Sequence, residues 1–275
     1  MLGRSKKSSG VFQTFFPVLV LVSIGLAFAA GVLWQKVQYF EKGTVVPQAS
    51  ALPTTATQQP ARTITSDQIK GLFGKDLIKF GDANKKLVFV EVLDPSCPYC
   101  HVASGKNPEL NKQIGSQFTL VSEGGSYVAP VTEIKKLVDS GQASFVVVYF
   151  PGHGNGELGM EALYCAYDQG KYWQVHDLLM NNKGYELMNN QIKNDKTKTA
   201  QLVSFLGSAA NSGELKTCIE SGKYDQRLLA EKDLGLSLAA DPNRFGTPHF
   251  LVNTTVFPGA YNFTDMKSVV DAALK

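Results

Sequence analysis

The pattern of apolar and polar positions predicts a sheet interrupted by a long helical section. Residues Leu87–Leu93 form an apolar run broken only by Glu91, which predicts a central strand covered on both faces. Residues 144–150 form a second run, rich in β-branched side chains. Two shorter runs, residues 248–253 and 255–257, predict a pair of strands near the C-terminus.

The predicted helices lie between and after these strands. A short helix capped by Thr65 or Ser66 precedes the first strand. Further helical patterns cover residues 101–114 with a kink at Gly105 and Pro108, 131–138, 161–180, 199–205, 214–219, 224–240 and 264–274. Residues 118–122 predict a weak strand. This order predicts an α/β fold with a helical insert at about residues 152–241.

The N-terminal part of the chain predicts a membrane anchor. Residues 11–34 are almost entirely apolar, and about 20 such residues cross a hydrocarbon core of about 30 Å. Because basic residues precede this stretch, residues 1–10 are expected in the cytoplasm and the rest of the chain on the extracytoplasmic side. We therefore expect a single-pass signal anchor in a bacterial cytoplasmic membrane. The alternative is a cleaved signal peptide, since Ala27-Phe28-Ala29 has the form of a cleavage site.

The composition of the chain predicts a linker and argues against a nucleic-acid-binding function. Residues 35–63 include a stretch of Pro, Thr, Ala and Gln with almost no charge, which predicts a flexible linker to a domain at residues 64–275. With 44% apolar and 19% charged residues, the chain has globular proportions. Its formal net charge of +3 is small, so no nucleic-acid partner is expected.

Four cysteines are too few for a disulfide scaffold of this size and are interpreted as two pairs. Cys97 and Cys100 follow the first predicted strand and open a helix. The unpaired N–H groups and the helix dipole favour an anion there, so the Cys97 thiol should ionise more easily than a free cysteine. Cys165 and Cys218 are expected to form a structural disulfide in an oxidising compartment, with two free thiols as the alternative.

A Cys-x-x-Cys motif can also serve a zinc site or a haem-attachment site. Zinc normally needs four ligands, and the other cysteines and the histidines are dispersed. With His101, the motif satisfies the Cys-x-x-Cys-His pattern of covalent haem attachment, although a cytochrome would not place it directly after a buried strand. We therefore expect no metal and no cofactor, and retain a c-type haem protein as an alternative.

The chain resembles the DsbA-like branch of the thioredoxin superfamily over roughly residues 64–275. The resemblance rests on Glu91, the Cys97-Pro98-Tyr99-Cys100 motif, the helical insert, residues 161–173 and the segment from Gly246-Thr247-Pro248 to residue 260. It implies a thioredoxin-like fold in which Cys97 is an exposed nucleophile and Cys100 is the buried resolving thiol. It also implies that Pro248 follows a cis peptide bond facing the pair and that Thr247 turns its backbone toward a bound peptide.

Four further residues complete the expected site. Glu91 matches the family's buried acid, which takes a proton from the resolving thiol, and a carboxyl group in a buried strand should have a raised pKa or a polar partner. Pro98 and Tyr99 lie between the cysteines, where the best-known oxidase of the group has a histidine. His101 either stabilises the thiolate or covers the helix surface.

The expected function is a dithiol oxidase that introduces disulfides into exported proteins. Its partners would be unfolded or partly folded exported proteins with free thiols and a membrane redox partner that recycles the cysteine pair. An isomerase or reductase of the same fold is the alternative within the family. Since only the linker occupies the place of the isomerases' dimerisation domain, a monomer is expected. A redox-inactive binding module is a further alternative.

Overall fold

The structure of the protein, a computed structural model, describes residues 62–275. The predicted anchor and nearly all of the predicted linker lie outside these residues. Among residues 62–275, no helix has both the length and the apolar character that a membrane crossing requires.

A five-stranded mixed sheet forms the centre of the domain. Its strands are β1 (Ile78–Phe80), β2 (Leu87–Leu93), β3 (Ala143–Tyr149), β4 (His249–Val252) and β5 (Thr255–Pro258). The spatial order is β1-β3-β2-β4-β5. Only β2 and β3 pair in parallel, and the other three pairings are antiparallel. Because β4 runs against β2, the start of β4 lies at the same edge of the sheet as the end of β2.

Helices cover both faces of this sheet. They are α1 (Ser66–Gly71), α2 (Pro98–Ser104), α3 (Pro108–Ile114), α4 (Pro130–Asp139), α5 (Glu157–Asp168), α6 (Tyr172–Leu179), α7 (Asn182–Glu186), α8 (Thr199–Leu206), α9 (Ser212–Glu220), α10 (Asp225–Ser237) and α11 (Phe263–Leu274). Helices α5 to α10 all lie between β3 and β4, as the predicted insert requires. The domain is therefore a mixed α/β fold with a large helical section.

Strand β2 is buried along its whole length because both of its faces contact hydrophobic cores. Phe89 and Leu93 belong to a core shared with α2, α4 and the helical section. Val90 and Val92 point into a second core that includes Ile69 of α1. Successive side chains of the strand point to opposite faces of the sheet, and each face contacts a hydrophobic core. A strand in this position therefore needs apolar residues at successive positions.

Helix α2 is short because glycine ends it. Gly105 adopts the left-handed conformation with φ of 69°, and a Cβ atom there would lie 2.6 Å from the Cβ atom of Ala129. Asn107 then caps α3 through a hydrogen bond that its side chain accepts from Leu110 N. The predicted kink within residues 101–114 is therefore a complete break between two helices.

Several predicted elements differ from the structure. Residues 118–122 are not a strand: Phe118 ends one short 3₁₀ helix, Val121 begins another, and Leu120 between them makes an isolated bridge to Tyr127. The pattern over residues 161–180 breaks after Asp168, where a turn separates α5 from α6. Strand β1 was not predicted, because three residues with one lysine carry no clear period.

The second cysteine pair joins two helices of the insert. Cys165 on α5 is bonded to Cys218 on α9, and 53 residues separate them in sequence. Cys165 is buried, while Cys218 is half-buried. The predicted disulfide is present in the structure.

Candidate active site

The candidate site lies at the edge of the sheet where β2 ends. Asp94 follows the strand, and its carbonyl oxygen accepts a hydrogen bond from Cys97 N at 2.9 Å. The turn ends at Cys97, which has extended backbone angles and precedes Pro98 at the first position of α2. Proline is suited to that position because the N–H group it lacks would have no partner within the helix. This sequence places the Cys97 sulfur at a helix N-terminus, as predicted.

The Cys97 thiol is the more acidic of the pair. Its pKa is lowered from 9.0 to about 7, chiefly by a hydrogen bond from the Cys100 thiol. Burial opposes this shift, while Thr247 and the backbone N–H groups of Tyr99 and Cys100 support it. Cys97 is only 6% exposed, so the expectation of an exposed nucleophile is wrong.

Cys100 has the opposite character. It lies within the first turn of α2, is fully buried, and has a pKa raised well above 9.0. Burial is the largest cause, followed by the interactions with Cys97 and the charge of Glu91. A thiolate at Cys97 and a thiol at Cys100 is therefore the reduced form that the geometry favours.

Glu91 is buried in β2 and is 1% exposed. Among residues 62–275, neither of its carboxyl oxygens has a hydrogen-bond partner. Burial raises its pKa from 4.5 to about 8. Since its charge affects the pKa of Cys100, the two groups lie within electrostatic reach of each other. The predicted burial is confirmed, and of the two expected consequences, a raised pKa or a polar partner, the structure shows the first; the role of Glu91 as a proton carrier remains a proposal.

His101 does not cover a helix surface, because it is fully buried. Its Nδ1 and Nε2 atoms lie 2.9 Å from Met180 O and 2.8 Å from Pro95 O, and burial lowers its pKa to about 4 against the effect of these two carbonyl groups. Stabilisation of the thiolate by His101 stays a prediction. With both nitrogens beside carbonyl groups, it is also not placed as a haem ligand. His101 instead connects the active-site turn to the helical section.

Pro248 and Thr247 face the cysteine pair from the start of β4. The Thr247–Pro248 peptide bond is cis, as the resemblance implies. The carbonyl oxygen of Thr247 lies 3.1 Å from the Cys97 sulfur. A peptide bound beside Cys97 would therefore meet the Thr247 backbone.

Tyr99 forms part of the outer rim of the site. It is 45% exposed and packs edge-on against Phe118, whose ring contacts Tyr127 in the same way. Pro98, by contrast, is half-buried. The dipeptide between the cysteines thus offers one aromatic ring to solvent.

Sequence reasoning missed several groups around the site. Asp94 is buried and accepts hydrogen bonds from the loop after β3. Asn189 donates from its side chain to Ser96 O at 3.0 Å, and Tyr185 packs against His101. The Asp94-Pro95-Ser96 sequence was the one available signal, because aspartate two residues before serine is typical of a side-chain-stabilised turn. Asn189 and Tyr185 lie about 90 residues away and gave no local signal.

The described residues show no candidate metal centre. Between residues 62 and 275, no three side chains of His, Cys, Asp or Glu are grouped so that they could hold a metal ion.

Residues 130–272, just over half of the chain, match the protein family described as Thioredoxin. The chain belongs to this family. The match includes Thr247 and Pro248, whereas Cys97 and Cys100 precede it. In this thioredoxin-family chain, the contact between Cys97 and Thr247 joins the matched segment to the cysteine pair.

Known proteins resemble this thioredoxin-family chain at low identity. It is 21% identical over 196 residues to a Rickettsia bellii protein named "Putative protein-disulfide oxidoreductase", and the match covers 71% of this chain and 63% of that protein. The chain therefore spans less than two thirds of that relative's length. Wolbachia pipientis alpha-DsbA1 has a similar structure with a TM-score of 0.51 and 15% identity, covering 72% of this chain and 91% of that one. Chlamydia trachomatis DsbA gives a TM-score of 0.49 at 18% identity, with coverages of 82% and 96%.

Proposed function

We propose that this protein is a thiol-disulfide oxidoreductase that works through Cys97 and Cys100. The observation that carries the proposal is the placement of the Cys97 sulfur at the start of α2, within 3.1 Å of Thr247 O and in hydrogen-bond contact with the buried Cys100 thiol. The relative named as a protein-disulfide oxidoreductase supports it.

The exchange takes two steps. A substrate thiolate attacks the Cys97 sulfur of the oxidised pair, the Cys97–Cys100 bond breaks, and a mixed disulfide forms at Cys97. Cys100 leaves as a thiolate and takes a proton, which Glu91 can give because its raised pKa keeps it protonated near neutral pH. A second substrate thiolate then attacks the substrate sulfur of the mixed disulfide. The Cys97 thiolate leaves, the substrate disulfide forms, and the two electrons remain on the reduced cysteine pair.

The most specific form of the proposal is a dithiol oxidase. A stabilised Cys97 thiolate is a good leaving group and favours the reduced pair, so the oxidised pair is driven to accept electrons. A membrane redox partner would then reoxidise the pair. The substrates would be unfolded or partly folded exported proteins with free thiols, and the protein would act as a monomer.

One observation favours a reductase or isomerase as the second candidate. The pKa of Cys97 is about 7, which is close to the value of about 7 typical of thioredoxin and well above the value of about 3.5 typical of strongly oxidising relatives. The structural neighbours named DsbA share the fold with this chain, and the fold alone is compatible with either direction.

The test uses the full-length protein in detergent with a peptide dithiol in a glutathione buffer. We expect the wild type to oxidise the peptide, Cys97→Ser to be inactive, and Cys100→Ser to accumulate a mixed disulfide. Cys165→Ala/Cys218→Ala serves as the matched control and should retain activity. Activity that survives Cys97→Ser would contradict the proposal. A reduction potential near −270 mV rather than near −120 mV would select the reductase over the oxidase.

We also propose that residues 11–34 anchor the domain on the extracytoplasmic side of a bacterial cytoplasmic membrane. The apolar length and the preceding basic residues support this. A membrane-impermeant maleimide should label reduced Cys97 in intact spheroplasts. Labelling that requires lysis would place the domain on the opposite side.

A further inference from the structure

The carboxylate of Asp94 accepts four hydrogen bonds from two separate segments. One oxygen accepts from Ser96 N at 2.8 Å and Ser96 Oγ at 2.7 Å. The other accepts from His153 N at 2.7 Å and Gly154 N at 3.1 Å. Asp94 is fully buried, so the water that would compete for these donors is excluded. One side chain therefore joins the turn before Cys97 to the loop that follows β3.

The loop of residues 151–156 also contacts Thr247, the residue whose backbone would meet a bound peptide. A Cβ atom on Gly152 would lie 2.3 Å from Thr247 Oγ1, so the backbone of the loop is packed directly against Thr247. Thr247 in turn places its carbonyl oxygen 3.1 Å from the Cys97 sulfur. These contacts form a closed ring. Asp94 contacts the loop, the loop contacts Thr247, Thr247 contacts Cys97, and Cys97 N donates to Asp94 O.

The loop is also packed against the Asp94-Pro95-Ser96 turn and hydrogen-bonded to it. A Cβ atom on Gly156 would lie 1.9 Å from the Asp94 carboxylate, and Asn155 N donates to Ser96 Oγ at 3.1 Å. The N–H groups of the loop therefore converge on the Asp94-Pro95-Ser96 turn, and the carboxylate is the group on which most of them depend.

We propose that Asp94 is a positioning residue: by holding the loop of residues 151–156 against Thr247, it sets where the peptide segment around a substrate cysteine lies beside Cys97. This inference rests on the proposed function and adds a determinant of peptide binding to it. The Asp94 carboxylate bonds to Ser96 and to the loop and not to Cys97, so it acts on the sulfur's surroundings only through the place of Thr247.

The sharpest test compares two aspartates that make the same local turn. Asp82 Oδ1 accepts from Asn84 N at 2.7 Å, as Asp94 accepts from Ser96 N. Within the described part of the chain, the Asp82 carboxylate has no other hydrogen bond, and it lies before β2, at the far end from the site. Asp82→Asn therefore removes the same charge from the same kind of turn without touching the loop.

The experiment measures the full-length protein with two reductants, a cysteine-containing peptide dithiol and dithiothreitol. In Asp94→Asn the amide N–H₂ group meets backbone N–H groups, and the loop loses its acceptor. We expect KM for the peptide to rise about ten-fold, the factor for one lost hydrogen bond to a charged group, with kcat and the dithiothreitol rate unchanged. Asp82→Asn should match the wild type with both reductants.

A second variant keeps the inference testable if Asp94→Asn does not fold. Gly152→Ala leaves Asp94 intact and pushes on Thr247 directly, so it should show the same defect with the peptide alone. Equal losses with both reductants, or an unchanged peptide KM in Gly152→Ala, would overturn the inference. If the wild type oxidises neither reductant, the proposed function fails and the inference fails with it.

Discussion

Cys97 and Cys100 are three residues apart and differ in acidity because of where each sulfur lies on α2. Cys97 precedes the helix, and the first N–H groups of the helix, those of Tyr99 and Cys100, help to lower its pKa. Cys100 lies inside the first turn and is surrounded by core side chains. The largest single cause of the Cys97 shift is the thiol of its neighbour, so the two sulfurs cannot be treated independently.

This dependence gives a prediction for the reduced protein. Cys100→Ala removes the donor of that hydrogen bond, and the pKa of Cys97 should rise from about 7 toward the ordinary thiol value. Cys100→Ser keeps a donor and should raise it less. Thiolate absorbance against pH measures both variants. Equal pKa values in the two variants would show that the helix terminus alone lowers the pKa.

The sequence allowed much of the residue-level chemistry to be predicted, and the misses share a cause. The thiolate position of Cys97 and the burial of Glu91 follow from local pattern, because a strand and a helix start determine them. The role of His101 depends on Met180, which is 79 residues away in sequence. No local pattern contains that information.

At the level of elements, the break between α2 and α3 depends on Gly105. Gly105→Ala would place a side chain on a left-handed residue and against Ala129. We expect a loss of roughly 2–4 kcal/mol in the free energy of unfolding, from backbone strain and overpacking together. Urea denaturation measures it. Gly124→Ala is the control, since Gly124 is also left-handed but has open space around it, and it should lose only the backbone part.

The disulfide between α5 and α9 should stabilise the insert without serving catalysis. Cys165→Ala/Cys218→Ala removes a cross-link across 53 residues, and chain-entropy estimates for such a loop give a loss of up to about 4 kcal/mol. Thermal unfolding should show this loss. A melting temperature equal to that of the wild type would mean that the helices of the insert hold together without the bond.

Elements whose sequence has a strong apolar pattern were predicted, whereas elements with a weak pattern were not. The buried runs of β2 and β3 have no alternative to a covered strand. Thr65, one of the two expected caps of α1, caps that helix and forms a capping box with Gln68. The apolar residues at 118–122 resembled a strand because period alone does not show whether a partner strand is available. There, Leu120 finds only Tyr127.

For the whole molecule, buried titratable groups determine how stability changes with pH. Burial raises the pKa of Glu91 to about 8 and the pKa values of Glu161 and Glu231 to about 7, from 4.5. Between 4.5 and these values the unfolded chain releases protons that the folded chain keeps, so stability falls as pH rises. His101 and His249, whose pKa values are lowered to about 4, oppose this trend only below pH 6.5.

In the oxidised protein, in which Cys97 and Cys100 do not titrate, the free energy of unfolding should therefore decrease between pH 6.5 and 8. In Glu91→Gln one of the three carboxyl groups no longer titrates, and the decrease over that interval should be smaller by roughly 2 kcal/mol, at about 1.4 kcal/mol per pH unit. Urea denaturation at several pH values measures both proteins. Parallel profiles for the wild type and the variant would mean that Glu91 ionises inside the fold.

Polar contacts from more than one segment of the helical section hold it against the active-site residues 94–101. Asn189 donates to Ser96 O, and Met180 O meets the His101 ring. A chimaera that received its helices from another scaffold would have to supply an amide and a carbonyl at these two places. The insert is thus not an interchangeable module, and grafting experiments should exchange it together with residues 94–101.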